Sequence, residues 1–166
     1  MDTLIQGGKY QVLEVIDDRD GYKACLCIDV EINNHYKPMI FNIYEKEEDI
    51  RRFLPVFFYI NKDQCTDFVR VMSGKHNIIS VFEYHQGVKL PDFFKQIEKF
   101  DFELRCKYTH LLLKECLILD ALADCIAYEC LNPDNIVIYE ESQKVMINYI
   151  IRPNHIDGKN FKGKQV

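Results

Sequence analysis

Cys130-Leu131-Asn132-Pro133-Asp134-Asn135-Ile136-Val137-Ile138 is the stretch whose reading decides the fold of this chain. Asn-Pro-Asp-Asn is rich in turn residues, whose short polar side chains bond nearby backbone. The apolar residues that follow open an extended run, Asn135 to Tyr139. A second run, Val145 to Tyr149, returns after Glu140-Glu141-Ser142-Gln143, so the pair reads as a short hairpin. Beyond it, the segment from Asn154, with Gly158, Gly163 and several lysines, reads as a flexible tail over 154–166.

Upstream of the quoted stretch the pattern is helical. Phe102 to Ala127 reads as one long helix whose apolar positions fall in two adjacent rows. Leu112, Cys116, Leu119, Ala123 and Ile126 form one; Leu111, Ile118, Leu122 and Cys125 form the other. An arc that wide calls for packing partners on two sides. Leu90 to Phe94 reads as a short helix that tolerates Pro91 in its first turn.

Before Gly87 the chain is mostly extended. Tyr10 to Ile16 alternates apolar and polar, Asp17-Asp18-Arg19-Asp20-Gly21 supplies a turn, and Tyr22 to Val30 completes a hairpin. A polar connection, Glu31 to Tyr36, leads to a third strand at Lys37 to Tyr44. A helix-like segment from Glu45 through Ile60 follows, which Pro55 is expected to shorten or kink. Phe68 to Met72 and Ile78 to Tyr84 bring the strands to five. Strands precede helices, and no internal repeat interrupts them.

Composition sets the class. At 166 residues, 48% hydrophobic and 28% charged, the chain can bury one ordinary globular core. A formal net charge of −5 with scattered Lys and Arg argues against nucleic acid as a partner. No apolar run approaches the ~18 residues of a membrane span, and the start lacks a secretory-signal layout. A cytoplasmic protein without direct membrane insertion is expected. Seven cysteines, an odd number with no CxxC unit, suit a reducing compartment. Cys25 and Cys27 share one face of a strand and read as small core residues.

Five strands with one helix, Glu83-Tyr84 ending the fifth strand, a long helix, and then Leu131-Asn132-Pro133-Asp134-Asn135 together resemble the protein kinase family over residues 8 to 153. The interval from Asn135 to Asn148 is the one that separates the catalytic-loop asparagine from the Asp-Phe-Gly aspartate in that family. The resemblance implies an α+β, protein kinase-like fold: a five-stranded antiparallel N-lobe sheet with one helix, and a helical C-lobe truncated after the Asp-Phe-Gly-equivalent strand. It implies a single domain over 1–166, with an N-lobe at 8–86 and a partial C-lobe at 87–153.

The resemblance also implies that the family's chemistry is missing. Ile16 to Tyr22 stands where the glycine-rich loop closes over phosphates, and its three carboxylates would repel phosphate; a solvated acidic turn explains them equally well. Asn42 stands where the phosphate-pairing lysine belongs, and Val56 where its glutamate partner belongs. Tyr128-Glu129-Cys130 replaces His-Arg-Asp, so Cys130 takes the place of the catalytic aspartate. Asn148 replaces the metal-binding aspartate. Asn135 survives, either as a metal ligand or as a residue that orders its own loop.

The function expected is therefore a catalytically inactive, pseudokinase-like module that binds protein, with no cofactor and no metal. A nucleotide-binding switch using the hinge-like Phe82-Glu83-Tyr84-His85 backbone is one alternative. Nucleotidyl transfer using Asp17, Asp18 and Asp20 is another. Only 18 residues follow Asn148, too few for an activation segment and the later helices that cover the long helix in the family. A surface of Leu111, Leu112, Cys116, Ile118, Leu119 and Leu122 is accordingly expected to meet a protein partner or a second copy.

Overall fold

The computed structural model describes residues 4–5, 8–30, 37–63 and 65–153. The expected tail over 154–166 and the connection at 31–36 lie outside them. The chain forms β1 (Leu4–Ile5), β2 (Tyr10–Arg19), β3 (Tyr22–Asp29), β4 (Met39–Tyr44), α1 (Glu47–Phe58), β5 (Phe68–Ser73) and β6 (Ile78–Glu83). After these come β7 (Val88–Lys89), α2 (Leu90–Phe94), α3 (Phe102–Ile118), α4 (Asp124–Cys130), β8 (Ile136–Tyr139) and β9 (Lys144–Ile147). The first sheet runs β1-β2-β3-β4-β6-β5 and the second β7-β8-β9, with every pairing antiparallel. The five expected strands are thus joined by a sixth, the two-residue β1.

Strand alternation splits the first sheet between two apolar clusters. Tyr22, Ala24, Ile40, Tyr44, Ile78 and Phe82 face inward, toward Phe53 and Phe57 of α1 and the body of the second sheet. Tyr10, Cys25, Cys27, Phe41, Ile79 and Val81 form a second buried cluster. Cys25 and Cys27 sit together there as small core residues, as their spacing predicts, and burial pushes the Cys27 thiol up to about 12.

Four sequence expectations need correcting. Strand β2 runs through the acidic stretch to Arg19, leaving Asp20-Gly21 as a two-residue turn. Two register shifts, between Val12 and Glu14 and between Val15 and Asp17, carry it that far. Gly21 takes φ +75°, and a Cβ there would lie 2.4 Å from Lys46 Cγ, so any other residue would be strained and would have to displace that side chain. Helix α1 spans Glu47–Phe58 instead of Glu45 to Ile60, with Pro55 inside it and stacked Phe53 and Phe57, beside Tyr44, on its inner face.

The long helix is two helices. α3 ends at Ile118, a 3-10 turn follows over Leu119–Ala121, and Leu122 and Ala123 are extended before α4 starts. The break lets Leu119, Leu122, Ile126 and Cys130 all turn into the main core. Ala123, whose side chain cannot cap a helix, gave no signal of this. In consequence Leu119 and Leu122, expected on an open partner surface, are 2% and 8% exposed. Leu111 and Leu112 also pack against the core. Among the described residues no helix is long and apolar enough to cross a membrane.

Candidate functional site

Asn42 shares a strand face with Tyr44, so alternation alone aims it into the cleft between the two sheets. It is fully buried. Its Oδ1 accepts from Tyr22 Oη and from Ile151 N, each at 2.9 Å, and its Nδ2 donates to the Tyr149 carbonyl at 2.9 Å. Tyr44 Oη donates to the Ile151 carbonyl at 2.6 Å. Residues 149–151 are thereby laced to β3 and β4, and every hydrogen-bonding atom of the carboxamide has a partner.

Asn148 turns the other way. Its Oδ1 accepts from His85 N at 2.8 Å and its Nδ2 donates to His85 O at 2.9 Å, so one carboxamide takes both main-chain groups of that residue. The next side chain, Tyr149, stacks on Phe82 with centroids 4.7 Å apart and planes 10° from parallel. His85 Nε2 in turn lies 3.0 Å from Asp67 Oδ2. The hinge-like segment is thus occupied by the chain's own amide and aromatic ring.

Cys130 closes α4 and points into the core with 0% exposure. Burial, then the neighbouring Cys65 and Glu129, push its thiol well above the ordinary range, which leaves no thiolate for nucleophilic chemistry. Glu129 is also buried; burial raises its carboxyl and the Arg152 guanidinium draws it back. Asn135 donates from Nδ2 to the Glu129 carbonyl at 2.8 Å and the Ile150 carbonyl at 3.2 Å, which is the loop-ordering role. Its Oδ1 is buried without a protein partner. Beside this loop a cavity of about 650 Å³ opens between Arg19, Tyr128, Glu129, Asn132, Asp134 and Arg152.

The acidic turn is neutralised. Asp17 meets Arg152 Nε at 2.6 Å and Arg19 Nε at 2.9 Å, Asp18 meets Lys23 at 3.0 Å, and Asp20 meets Lys46 at 2.7 Å. Among the described residues no group of three or more His, Cys, Asp or Glu could hold a metal ion. Arg152, and its pairing with Asp17, were missed in the sequence, since nothing in their spacing joins residues so far apart. Tyr22 and Tyr44 could have been found, because the strand phase that buries Asn42 buries them beside it.

Asp17 carries a testable pH dependence. Burial raises its carboxyl, but the Arg152 and Arg19 hydrogen bonds outweigh burial and hold it below the ordinary value. Its folded pKa therefore lies below the unfolded one. The stabilisation is present above the unfolded value, ~3.9, and is lost as pH falls through the folded value. Asp17→Asn is expected to cost about 1–3 kcal/mol at pH 7, with the difference from wild type shrinking below about pH 4. Urea midpoints measured from pH 3 to 7 check this, and a pH-independent difference would contradict it.

No family model and no curated protein matches this sequence. Among solved structures, the crystal structure of Rad53 1-466 in complex with AMP-PNP superposes with a TM-score of 0.58 at 19% identity, over 86% of this chain and 38% of that one. The PknI kinase domain of Mycobacterium tuberculosis gives a TM-score of 0.48 at 12% identity, over 87% of this chain and 60% of that one. The chain spans less than two thirds of the length of either. It has a protein kinase-like fold, mixed α+β with the antiparallel sheet first.

That fold raises the question of a magnesium nucleotide, and the residues present do not fit one. Asn42 is a buried amide whose oxygen is already taken by two donors, Asn148 is an amide spent on His85, and Asn135 offers one neutral oxygen.

Proposed function

We propose that this chain is an inactive, pseudokinase-like module that works by binding protein rather than by transferring phosphate. The observation that carries this reading is the bonding of Asn148 to both main-chain groups of His85, next in sequence to the Tyr149 ring that stacks on Phe82. An adenine would need those same hinge groups. The Asn42 lacing of residues 149–151 adds to it, because it removes a mobile cation from the place where a phosphate charge would need one.

The same contacts weigh against a nucleotide switch, and the ion pairs of Asp17, Asp18 and Asp20 weigh against nucleotidyl transfer from the acidic turn. Millimolar ATP or ADP, with magnesium or manganese, is expected to shift the melting temperature by less than about 1 °C. Binding at 100 Kd would instead stabilise by about 2.7 kcal/mol. A shift of several degrees, or transfer of labelled phosphate or nucleotide to protein, would sink the reading.

A further inference from the structure

The corrected geometry of α3 exposes a different apolar row from the expected one. Phe102 is 81% exposed, Leu113 60% and Leu117 67%, and Cys106 is exposed with them. At 3.6 residues per turn these four lie within ~60° of arc and extend ~22 Å along the helix. Their spacing is palindromic. About a midpoint between Thr109 and His110, Phe102 mirrors Leu117 and Cys106 mirrors Leu113.

A palindromic stripe is self-complementary under a twofold axis, which is the requirement of an isologous contact. We propose that α3 pairs antiparallel with α3 of a second copy of this chain, Phe102 packing on Leu117 and Cys106 on Leu113 across the axis. Charge supports the direction. Exposed Glu103 and Lys114 lie on one flank of the stripe, ~20° apart around the helix. In an antiparallel pair that flank meets its own copy, bringing Glu103 within about one turn of the second copy's Lys114, twice over. In a parallel twofold pair the two copies of this flank would lie on opposite sides of the seam, where Glu103 could not reach the second copy's Lys114.

One helix stripe is small beside the ~800 Å² per partner of a standard interface, so a dissociation constant on the order of tens of micromolar is expected. The inference concerns α3 alone and stands whatever the cleft binds.

Sedimentation velocity on the full chain, from about 1 to 500 µM, tests it. A monomer–dimer equilibrium is expected; Leu113→Glu should weaken it at least tenfold, while unchanged melting shows that the fold persists. Lys114→Glu should weaken it several-fold, and Glu103→Lys combined with Lys114→Glu should restore it. Register is read by oxidative cross-linking. Cys106 with Leu113→Cys should give an intermolecular disulfide, whereas Cys106 in the wild type, ~10 Å along the axis from its copy, should not.

A monomer at every concentration, a dimer indifferent to Leu113→Glu, or dominant Cys106–Cys106 cross-linking would each overturn the proposal. A monomer in which the stripe is protected by another segment of the same polypeptide would overturn it too.

Discussion

Asn42→Lys, which puts back the charge expected of an active kinase, is expected to cost about 4–6 kcal/mol and to return no activity. The side chain is fully buried, and its surroundings are Tyr22 Oη, the Ile151 N–H and the Tyr149 carbonyl. An ammonium has no acceptor lone pair, so the Tyr22 hydroxyl and the Ile151 N–H both lose their partner. The new charge is also left without a carboxylate inside the core, and an unpaired buried charge is among the few single changes that cost this much. For a domain of this size the melting temperature should fall by roughly 10–20 °C.

Asn42→Leu separates charge from hydrogen bonding. It fills similar space but strands the same partners, at about 1–3 kcal/mol for each buried group left unpaired. A loss of at least about 3 kcal/mol is therefore expected, smaller than for lysine. Urea unfolding of both variants gives the two values. If Asn42→Lys were as stable as wild type and gained ATP affinity, the cleft would be open and the central reading wrong.

Much of the fold was readable because periodicity reports on burial. The shared strand face of Cys25 and Cys27 placed both in the core, and the sequence pattern located α2 and the β8–β9 hairpin to within a residue or two. The end of α3 was not readable, since Leu119-Asp120-Ala121-Leu122-Ala123 contains no glycine or proline, and Asp120, its one residue able to cap, sits within the 3-10 turn while Ala123 occupies the cap of α4. Tertiary burial of Leu119, Leu122 and Ile126 overrode local propensity there. The outward row of α3 was missed for a related reason. Leu111-Leu112-Leu113 and Leu117-Ile118-Leu119 are apolar all round, so the sequence leaves the phase of the helix open.

At the site, the resemblance singled out Asn42, Cys130 and Asn148 by position, and it spoke only of what those residues would lack. Their new employment depends on pairings across 63 to 109 positions of chain, as in Asn148 with His85 and Asn42 with Ile151. Such contacts leave no periodic trace. The pattern they make is coherent: Asn42 and Asn148 are amide clamps, and Cys130 is core.

That third position gives the other large effect. Cys130→Asp is expected to cost at least about 4 kcal/mol at neutral pH, because Cys130 is wholly enclosed within the same apolar cluster as Cys65, Ile126 and Ile136. Glu129, buried next to it in sequence, makes a second carboxylate there less welcome still. Burial would raise the new carboxyl above its unfolded value, ~3.9. The folded state then binds the proton more tightly than the unfolded chain, so stability falls as pH rises, by about 1.4 kcal/mol per unit until the folded pKa is reached. The variant should stand nearest wild type around pH 4 to 5 and furthest from it above 7, the opposite trend to that expected at Asp17. Cys130→Ala, which introduces no charge, should cost only about 1–2 kcal/mol at any pH. Urea midpoints for the three proteins across pH 4.5 to 8 resolve the slopes. A pH-independent Cys130→Asp with near wild-type stability would mean that the residue faces solvent, and that the catalytic-loop position is still poised for a proton acceptor.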